Sequence, residues 1–562
     1  MRLFGFEKIT LILLILLFFA LALDSLIIDS PIIDEQNHLT RGYSFLTTGD
    51  PRLSIEHPPL VNLLSAIPLN LVDELQFSAD HTGWQNREWY SVATRFFWQD
   101  GNPVTLMVFL GRLPIVFLTI FLALTGFRFG NRLWRQPAGL LTFSALLFDP
   151  TIFAHGRYIT TDLGGTLFIF LATFAVYNLF HTDQSRPIQA IFLAALTIGL
   201  AFASKLTSLV FIPIWIVLAL LPLYSQNRST IGRRLAHLVT AGIASLFVLW
   251  AAFGFEWGNF LFIDESMLWL NRFSAPMPTF WSGIERITLI SGGGRPSFLW
   301  GQYSTEGFLL YFPVAFLAKT PVFVLFALFA SLIFLLAQLT TRRKTLWLLI
   351  PPLLYFGFSM TSALNIGYRH LMPMLPFVYL IIAAGFKQLV FDTHHSIMIK
   401  WLVNRNNTKH ALILIIIAAF LLPTVLIHPH QISFFNQLFG GPTNGSNVLV
   451  DSNIDWGQDL QRLKHWMTQN GVETINLAWF GTADPALYNL AYTPLPGEPN
   501  FRHLWWDVPF DRTNPPPGIY AISVTNLHEM PLIPEEKTVY AYFRNLEPID
   551  QIGYSIMIYA ID

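Results

Sequence analysis

The chain has 562 residues, 53% of them hydrophobic and only 12% charged, with 51 Phe and 17 Trp, whereas ordinary globular domains carry roughly 25% charged residues. That balance excludes a soluble core, since several apolar runs reach the roughly 17 to 25 residues that cross hydrocarbon as a helix. A formal net charge of −1 argues against nucleic acid as a partner, and with no cysteine the parts outside the membrane are stabilised by packing rather than disulfides.

In chain order, apolar spans fall near 9–28, 105–126, 138–154, 163–181, 188–204, 206–223, 236–255, 311–340, 346–363, 371–390 and 411–427, eleven helices in all. Ala20-Leu21-Ala22 resembles a signal-cleavage box, but apolarity resumes at Leu26-Ile27-Ile28, and the first helix is expected to stay. Short cytoplasmic loops carry the excess of Lys and Arg. With the N-terminus in the cytosol, the inner segments hold Arg2 and Lys8; Arg128, Arg132 and Arg135; Arg186; Arg228, Arg233 and Arg234; Arg342, Arg343 and Lys344; and Lys387, Lys400, Arg405 and Lys409. The acids there are Glu7, Asp183 and Asp392. Every notable carboxylate motif then faces away from the cytosol.

Two long outer excursions, 29–104 and 256–310, are rich in Trp, Pro and Gly. Within them Pro59–Pro68 and Met267–Leu270 read as short interfacial helices, and long loops with helices of their own usually build a site. Residues 1–427 therefore form a transmembrane domain. From 428 to 562 the composition turns polar: Asn447–Val450 and Thr474–Trp479 read as strands flanking a helix at Leu460–Gln469 that Gly471 ends, with later strands near Gly518–Val524 and Ser555–Ile561. That is a small extracytoplasmic α/β domain.

Charged side chains at the spans carry the chemistry. Asp34-Glu35 follows the first span and Glu56-His57-Pro58-Pro59 lies further along the first excursion; carboxylates at a membrane surface cost desolvation energy, though Asp34 is also open to the plain role of ending a helix in water. Arg112 lies inside a span and calls for a carboxylate partner such as Asp34 or Asp162. Asp162 faces a cavity, pairs with a cation or caps its helix. Arg157, Lys205 and Arg369 either snorkel to the interface or neutralise a phosphate, and His370 orients Arg369 or packs.

The series Asp34-Glu35, Glu56-His57-Pro58-Pro59-Leu60, Gly111-Arg112-Leu113, Arg157–Asp162, Lys205 and Tyr368–Pro373 resembles the protein O-mannosyltransferase and aminoarabinose-transferase superfamily over roughly residues 1–427. The resemblance implies a polytopic α-helical glycosyltransferase of the C-type fold in a bacterial plasma membrane, which takes a sugar from polyprenyl phosphate. It implies Asp34 as general base, with Glu35 and Asp162 as further active-site carboxylates, and Glu56, His57, Arg112, Arg157, Lys205, Arg369 and His370 around the substrates. His57 stands where mannosyltransferases have histidine and aminoarabinose enzymes lysine. Glu56 matches a metal-binding residue of the aminoarabinose branch, but the ligand set is incomplete, so a divalent metal is an open cofactor. The expected partners are the lipid-linked sugar, a protein, lipid or envelope-polymer acceptor, and membrane lipid. Asp451–Leu460 resembles a signature of some bacterial relatives.

Other motifs carry less. Asp451-x-Asn453-x-Asp455-x-Gly457-x-Asp459 starts like a calcium loop, but its glycine falls one place late and Arg462 stands where a bidentate Glu is needed; a turn with Asp459 capping the next helix is expected instead. His428-Pro429-His430 offers too few ligands for a metal, and the sequon Asn406-Asn407-Thr408 falls in a cytosolic loop. Gly292-Gly293-Gly294 reads as a lid hinge or a simple turn. A secondary transporter or a flippase for lipid-linked substrates is the competing class, although its charges usually gather near the midplane.

Overall fold

A computed structural model describes residues 2–181, 187–221, 228–337, 344–388, 406–497, 508–532 and 536–562. The expected inner residues Arg186, Arg342, Arg343, Lys400, Arg405, Asp183 and Asp392 lie outside the described residues, as do the side chains of Arg2, Arg228, Lys344, Asn406 and Asn407. Among the described residues seven helices are long and apolar enough to cross a membrane: Gly5–Ile28, Val104–Trp134, Thr161–His181, Pro187–Ser204, Thr230–Ala252, Tyr368–Phe386 and Thr408–Leu426. The pair Tyr311–Lys319 and Val322–Leu336 makes an eighth if taken as one span. Ala138–Phe148, Leu206–Leu220 and Thr345–Met360 are shorter apolar helices, so every expected apolar segment is helical but not every one is a straight crossing. The protein is an integral membrane protein of helical architecture with small sheets toward its C-terminal end.

Proline explains the breaks. The pair at 311–336 bends by 111° because Thr320 is extended (ψ 131°) before Pro321, and a residue preceding proline is pushed out of the helical region. The expected span 138–154 breaks in the same way: Asp149 (ψ 129°) precedes Pro150, and its carboxylate accepts from the Ile152 amide as the next helix, Pro150–His155, begins. Lys205 is extended between the helices on either side of it.

Large apolar side chains such as Ile9, Leu13, Leu16, Ile243, Phe247, Phe326, Phe329 and Ile415 stay exposed on the spans, as expected for surfaces that meet lipid tails. Inside the bundle, Thr161–His181 and the buried helix at 375–386 are apolar on all sides. Helix Glu35–Thr48 crosses Pro59–Ala66 closely at Gly42, where an added Cβ would come within 2.0 Å of the Asn62 carbonyl oxygen. Small residues permit such backbone approach, and this one places His38 beside Asn62.

The C-terminal segment forms a five-stranded mixed sheet in the order Tyr492–Pro494, Ile475–Ala478, Gly518–Ser523, Ile556–Ile561, Asp550–Ile552. The first three strands run parallel and the last two pairings are antiparallel. Helix Leu460–Gln469 lies where its periodicity places it, and Gly471 follows at φ +66°. Asn447–Val450 is not a strand: Pro442–Asn447 is a 3-10 turn, and Val448, Leu449 and Val450 bury their side chains without a sheet neighbour. The apolarity of that run is core packing. Met267–Leu270 corresponds to an exposed 3-10 turn, Leu268–Arg272.

Candidate active site

Asp34 stands at the head of helix Glu35–Thr48, but its carboxylate does not cap the helix. It accepts instead from Arg369, NH1 to Oδ2 at 2.9 Å. The same guanidinium nitrogen lies 3.6 Å from Asp162 Oδ2, and the other Asp162 oxygen accepts from the Lys205 ammonium. Asp34, Arg369, Asp162 and Lys205 thus form one chain of alternating charge. The side chain of Asp34 is 30% exposed, against 9% for Arg369, 5% for Asp162 and 11% for Lys205; it is the member open to a reactant. Burial pushes the Asp34 carboxyl upward, but the Arg369 guanidinium beside it outweighs burial and holds the carboxyl below its ordinary value. At neutral pH Asp34 is therefore an anion, competent to accept a proton.

Glu35 points elsewhere. It is fully buried and takes a two-pronged contact from Arg112, Nε to Oε1 at 2.8 Å and NH2 to Oε2 at 2.7 Å. Its oxygens also accept from the amides of Ile32 and Ile159. Arg112 spends its remaining donors on the carbonyls of Leu26, Asp29 and Ser30. Its carboxylate partner is thus Glu35, where the sequence suggested Asp34 or Asp162. Every lone pair and donor here is occupied, so the geometry gives Glu35 and Arg112 a bracing role.

Arg157 is likewise turned from the Asp34 chain. It donates to Asp29 at 3.0 Å, to Gln431 at 2.7 Å and to the Pro429 carbonyl at 2.9 Å. Asp29 also accepts from Tyr158 Oη at 2.6 Å and from Arg462 at 2.6 Å. Burial opposes its charge, yet Arg157, Arg462 and Arg112 hold its carboxyl well below the usual range. Sequence reasoning passed over Asp29 because it stands at the end of an apolar run, where an aspartate is unremarked.

Beside the chain, His38 and His57 meet edge to face, ring centroids 4.7 Å apart. His38 Nδ1 is 3.0 Å from Asn62 Oδ1, and His57 Nδ1 is 3.3 Å from Thr161 Oγ1. Burial holds His38 down to about 4 and His57 well below its ordinary value, so both rings are neutral at pH 7 and suited to hydrogen bonding rather than to charge pairing with phosphate. Glu56 lies 3.6 Å from Arg41. Among the described residues no group of three His, Cys, Asp or Glu side chains converges as a metal site. The His370 carbonyl accepts from Tyr355 Oη at 2.9 Å, and its buried Nε2 has no hydrogen-bond partner among the described residues.

The turn at Asp451–Leu460 packs against this group, and its oxygen side chains diverge to separate partners. Asn453 Nδ2 donates to Tyr311 Oη at 2.9 Å while its Oδ1 accepts from the Tyr368 amide at 2.8 Å. Ser452 Oγ donates to the Ile366 carbonyl at 2.6 Å. Asp455 accepts from the Thr525 amide at 3.1 Å. Asp459 occupies the N-cap position of the next helix but makes no side-chain cap; its carboxylate is taken by Arg462 at 2.5 Å and Ser555 Oγ at 2.7 Å, charge-assisted contacts that win over a cap. Trp456 lies under Arg369, its ring centroid 4.0 Å from the guanidinium carbon. Lys319, at the bend before Pro321, donates to the carbonyls of Ile432 and Asn453 at 2.6 and 2.5 Å. Lys319 and Trp456 had no sequence signal beyond a cation in an apolar run and an aromatic in a polar turn.

Residues 107–252 match the family described as dolichyl-phosphate-mannose-protein mannosyltransferase. The resemblance to the protein O-mannosyltransferase-like superfamily stands. That match supports a membrane glycosyltransferase. The chain is also similar to ArnT from Cupriavidus metallidurans, in crystal structures of the apo state and of the state bound to undecaprenyl phosphate, each with 12% identity, 97% of both chains covered and a TM-score of 0.49. No curated protein matches the chain.

Proposed function

We propose that this protein moves a hexose or related sugar from a polyprenyl monophosphate to a hydroxyl on the extracytoplasmic side, with inversion at the anomeric carbon. The observation that carries this reading is the ionised, partly open Asp34 at the end of a buried chain of cations and carboxylates. Asp34 takes the acceptor proton as the acceptor oxygen attacks the anomeric carbon. The carbon–oxygen bond to phosphate breaks, and the lipid leaves as a phosphate whose growing charge Arg369 and Lys205 neutralise. A single displacement from the face opposite the leaving group inverts the centre.

Asp162 keeps both cations in place before the donor arrives, and neutral His57, set between His38 and Thr161, offers a hydrogen-bonding group beside them. The N-terminus lies in the cytosol and the C-terminal domain outside it, in a bacterial plasma membrane, so that lipid head group and external acceptor meet at Asp34. The acceptor is a hydroxyl of a protein, a lipid or an envelope polymer.

The test is to incubate purified protein in lipid with a panel of polyprenyl-phosphate sugars and acceptors and to follow release of the lipid phosphate. Turnover by the wild type that Asp34→Asn abolishes supports the reading. Equal turnover in both removes Asp34 as base, and no turnover with any donor and acceptor pair turns the assignment toward transport.

A further inference from the structure

We propose that Trp456 is a positioning residue for the Asp34–Arg369 pair, through which the C-terminal domain completes the reaction centre; this rests on the transferase reading above. Trp456 grips both members of the pair. Its buried ring supplies a flat face to the guanidinium at 4.0 Å, a geometry in which cation–π attraction and stacking of the planar group act together. Its carbonyl accepts from the amide of Ile33 at 3.0 Å, so the same residue pins the main chain one position before Asp34.

The platform is itself fixed. The Trp456 amide donates to Gln458 Oε1 at 2.9 Å, and the Gln458 carbonyl accepts from the Ser30 amide at 2.9 Å. The ring packs with Ile32, Ala154, Tyr158 and Ile432, with the edge of His155 at 5.4 Å between centroids. Arg369 needs such a platform. Its NH1 serves Asp34 at 2.9 Å and lies 3.6 Å from Asp162, while its buried Nε has no hydrogen-bond partner among the described residues. Hydrogen bonds alone leave the guanidinium free to tilt toward either carboxylate; the ring face selects the plane in which NH1 reaches Asp34.

The experiment compares full-length wild type, Trp456→Leu and Trp456→Phe in lipid nanodiscs. In the Leu variant, assayed below a melting temperature lowered by truncating a buried ring, kcat falls by about 10-fold or more and the donor KM changes by less than about 2-fold in either direction, the split expected when an interaction matters in the transition state. The acid limb of its kcat moves to higher pH, because Asp34 loses the cation that keeps it ionised, and Phe, which retains a ring face, restores most of the rate. A Leu variant with wild-type turnover and pH profile overturns the proposal, as does a Phe variant as slow as Leu at equal melting temperature. A second readout is independent of turnover: phenylglyoxal labelling of Arg369, read by peptide mass, is protected in wild type, stays protected in the Phe variant and rises in the Leu variant, with the ring-free Trp456→Met in its place should Leu fail to fold. Unchanged labelling overturns the positioning role. A wild type that turns over no donor but shows the labelling difference defeats the transferase reading and leaves the positioning intact.

Discussion

Arg462 of the C-terminal domain reaches Asp29 at the end of the first span, NH2 to Oδ1 at 2.6 Å, across 433 positions of chain. The other oxygen of Asp29 is held by Arg157 and Tyr158. One carboxylate thus fastens an arginine of the C-terminal segment to one just ahead of the buried span Thr161–His181. Replacing it leaves the buried Arg157 guanidinium without its carboxylate, while Arg462 retains Asp459 at 2.5 Å, and breaking a buried pair on one side costs about 3 to 5 kcal/mol. Asp29→Asn is expected to lower stability by that order in denaturant unfolding; a variant as stable as wild type would show the fastening to be idle.

The same carboxylate makes stability depend on acid. Its folded pKa lies below the unfolded value of about 3.9, so its contribution is fully present above that value and is lost as pH falls below it. Wild-type melting temperature should drop from about pH 4 downward, and the slope should flatten in Asp29→Asn.

Asp34→Asn removes the proposed base while keeping size. Loss of a general base usually costs about 10²- to 10⁴-fold in rate, and with Asp34 partly open the melting temperature should barely move. Phosphate release and thermal unfolding on the same preparation decide this: a large fall in both would make Asp34 structural.

Arg112→Lys tests the brace at Glu35. A lysine offers one point charge where the guanidinium makes a fork to Glu35 and three carbonyl contacts. The expected loss is about 3 kcal/mol of stability, with the pH profile of residual turnover unchanged. A shifted profile at full stability would place Arg112 in the reaction instead.

Asp451 is pushed up to about 6, by burial first and by Asp34, against the pull of Arg369 and the Ser452 amide. With a folded pKa above the unfolded value, its ionisation costs stability as pH rises from about 4 to 6. Asp451→Asn, tolerable at φ +59°, should therefore gain in melting temperature over wild type across that window and hold the gain above it. A pH-independent difference would contradict the assignment.

The members of the chain Asp34, Arg369, Asp162, Lys205 were legible because all four fall in the residue series that resembles the mannosyltransferase superfamily, whereas Asp29 and Lys319, also charged beside or inside apolar runs, do not. Who pairs with whom was not. Asp34 and Glu35 are neighbours in sequence, yet at a helix start successive side chains point about 100° apart, and one meets Arg369 while the other meets Arg112. Apolarity located the membrane helices but not Glu35–Thr48, Trp89–Trp98 or Pro278–Gly293, and it hid the bends at Pro150 and Pro321, whose signal lies in backbone sterics rather than in hydropathy. The run at Val448–Val450 showed the converse: an apolar stretch signals burial, and only a neighbouring strand makes it a sheet.

The bond between Ile33 and Trp456 also sets a timetable. Asp34 is synthesised before its partner Arg369, which comes 335 residues later, and the ring beneath that arginine follows only at Trp456. A nascent chain holding every span still lacks the wall that steadies its carboxylate and cation, so a truncated product or one caught mid-insertion presents the acid without its aligned partner. Maturation of the whole polypeptide is in this way written into the geometry of its first loop.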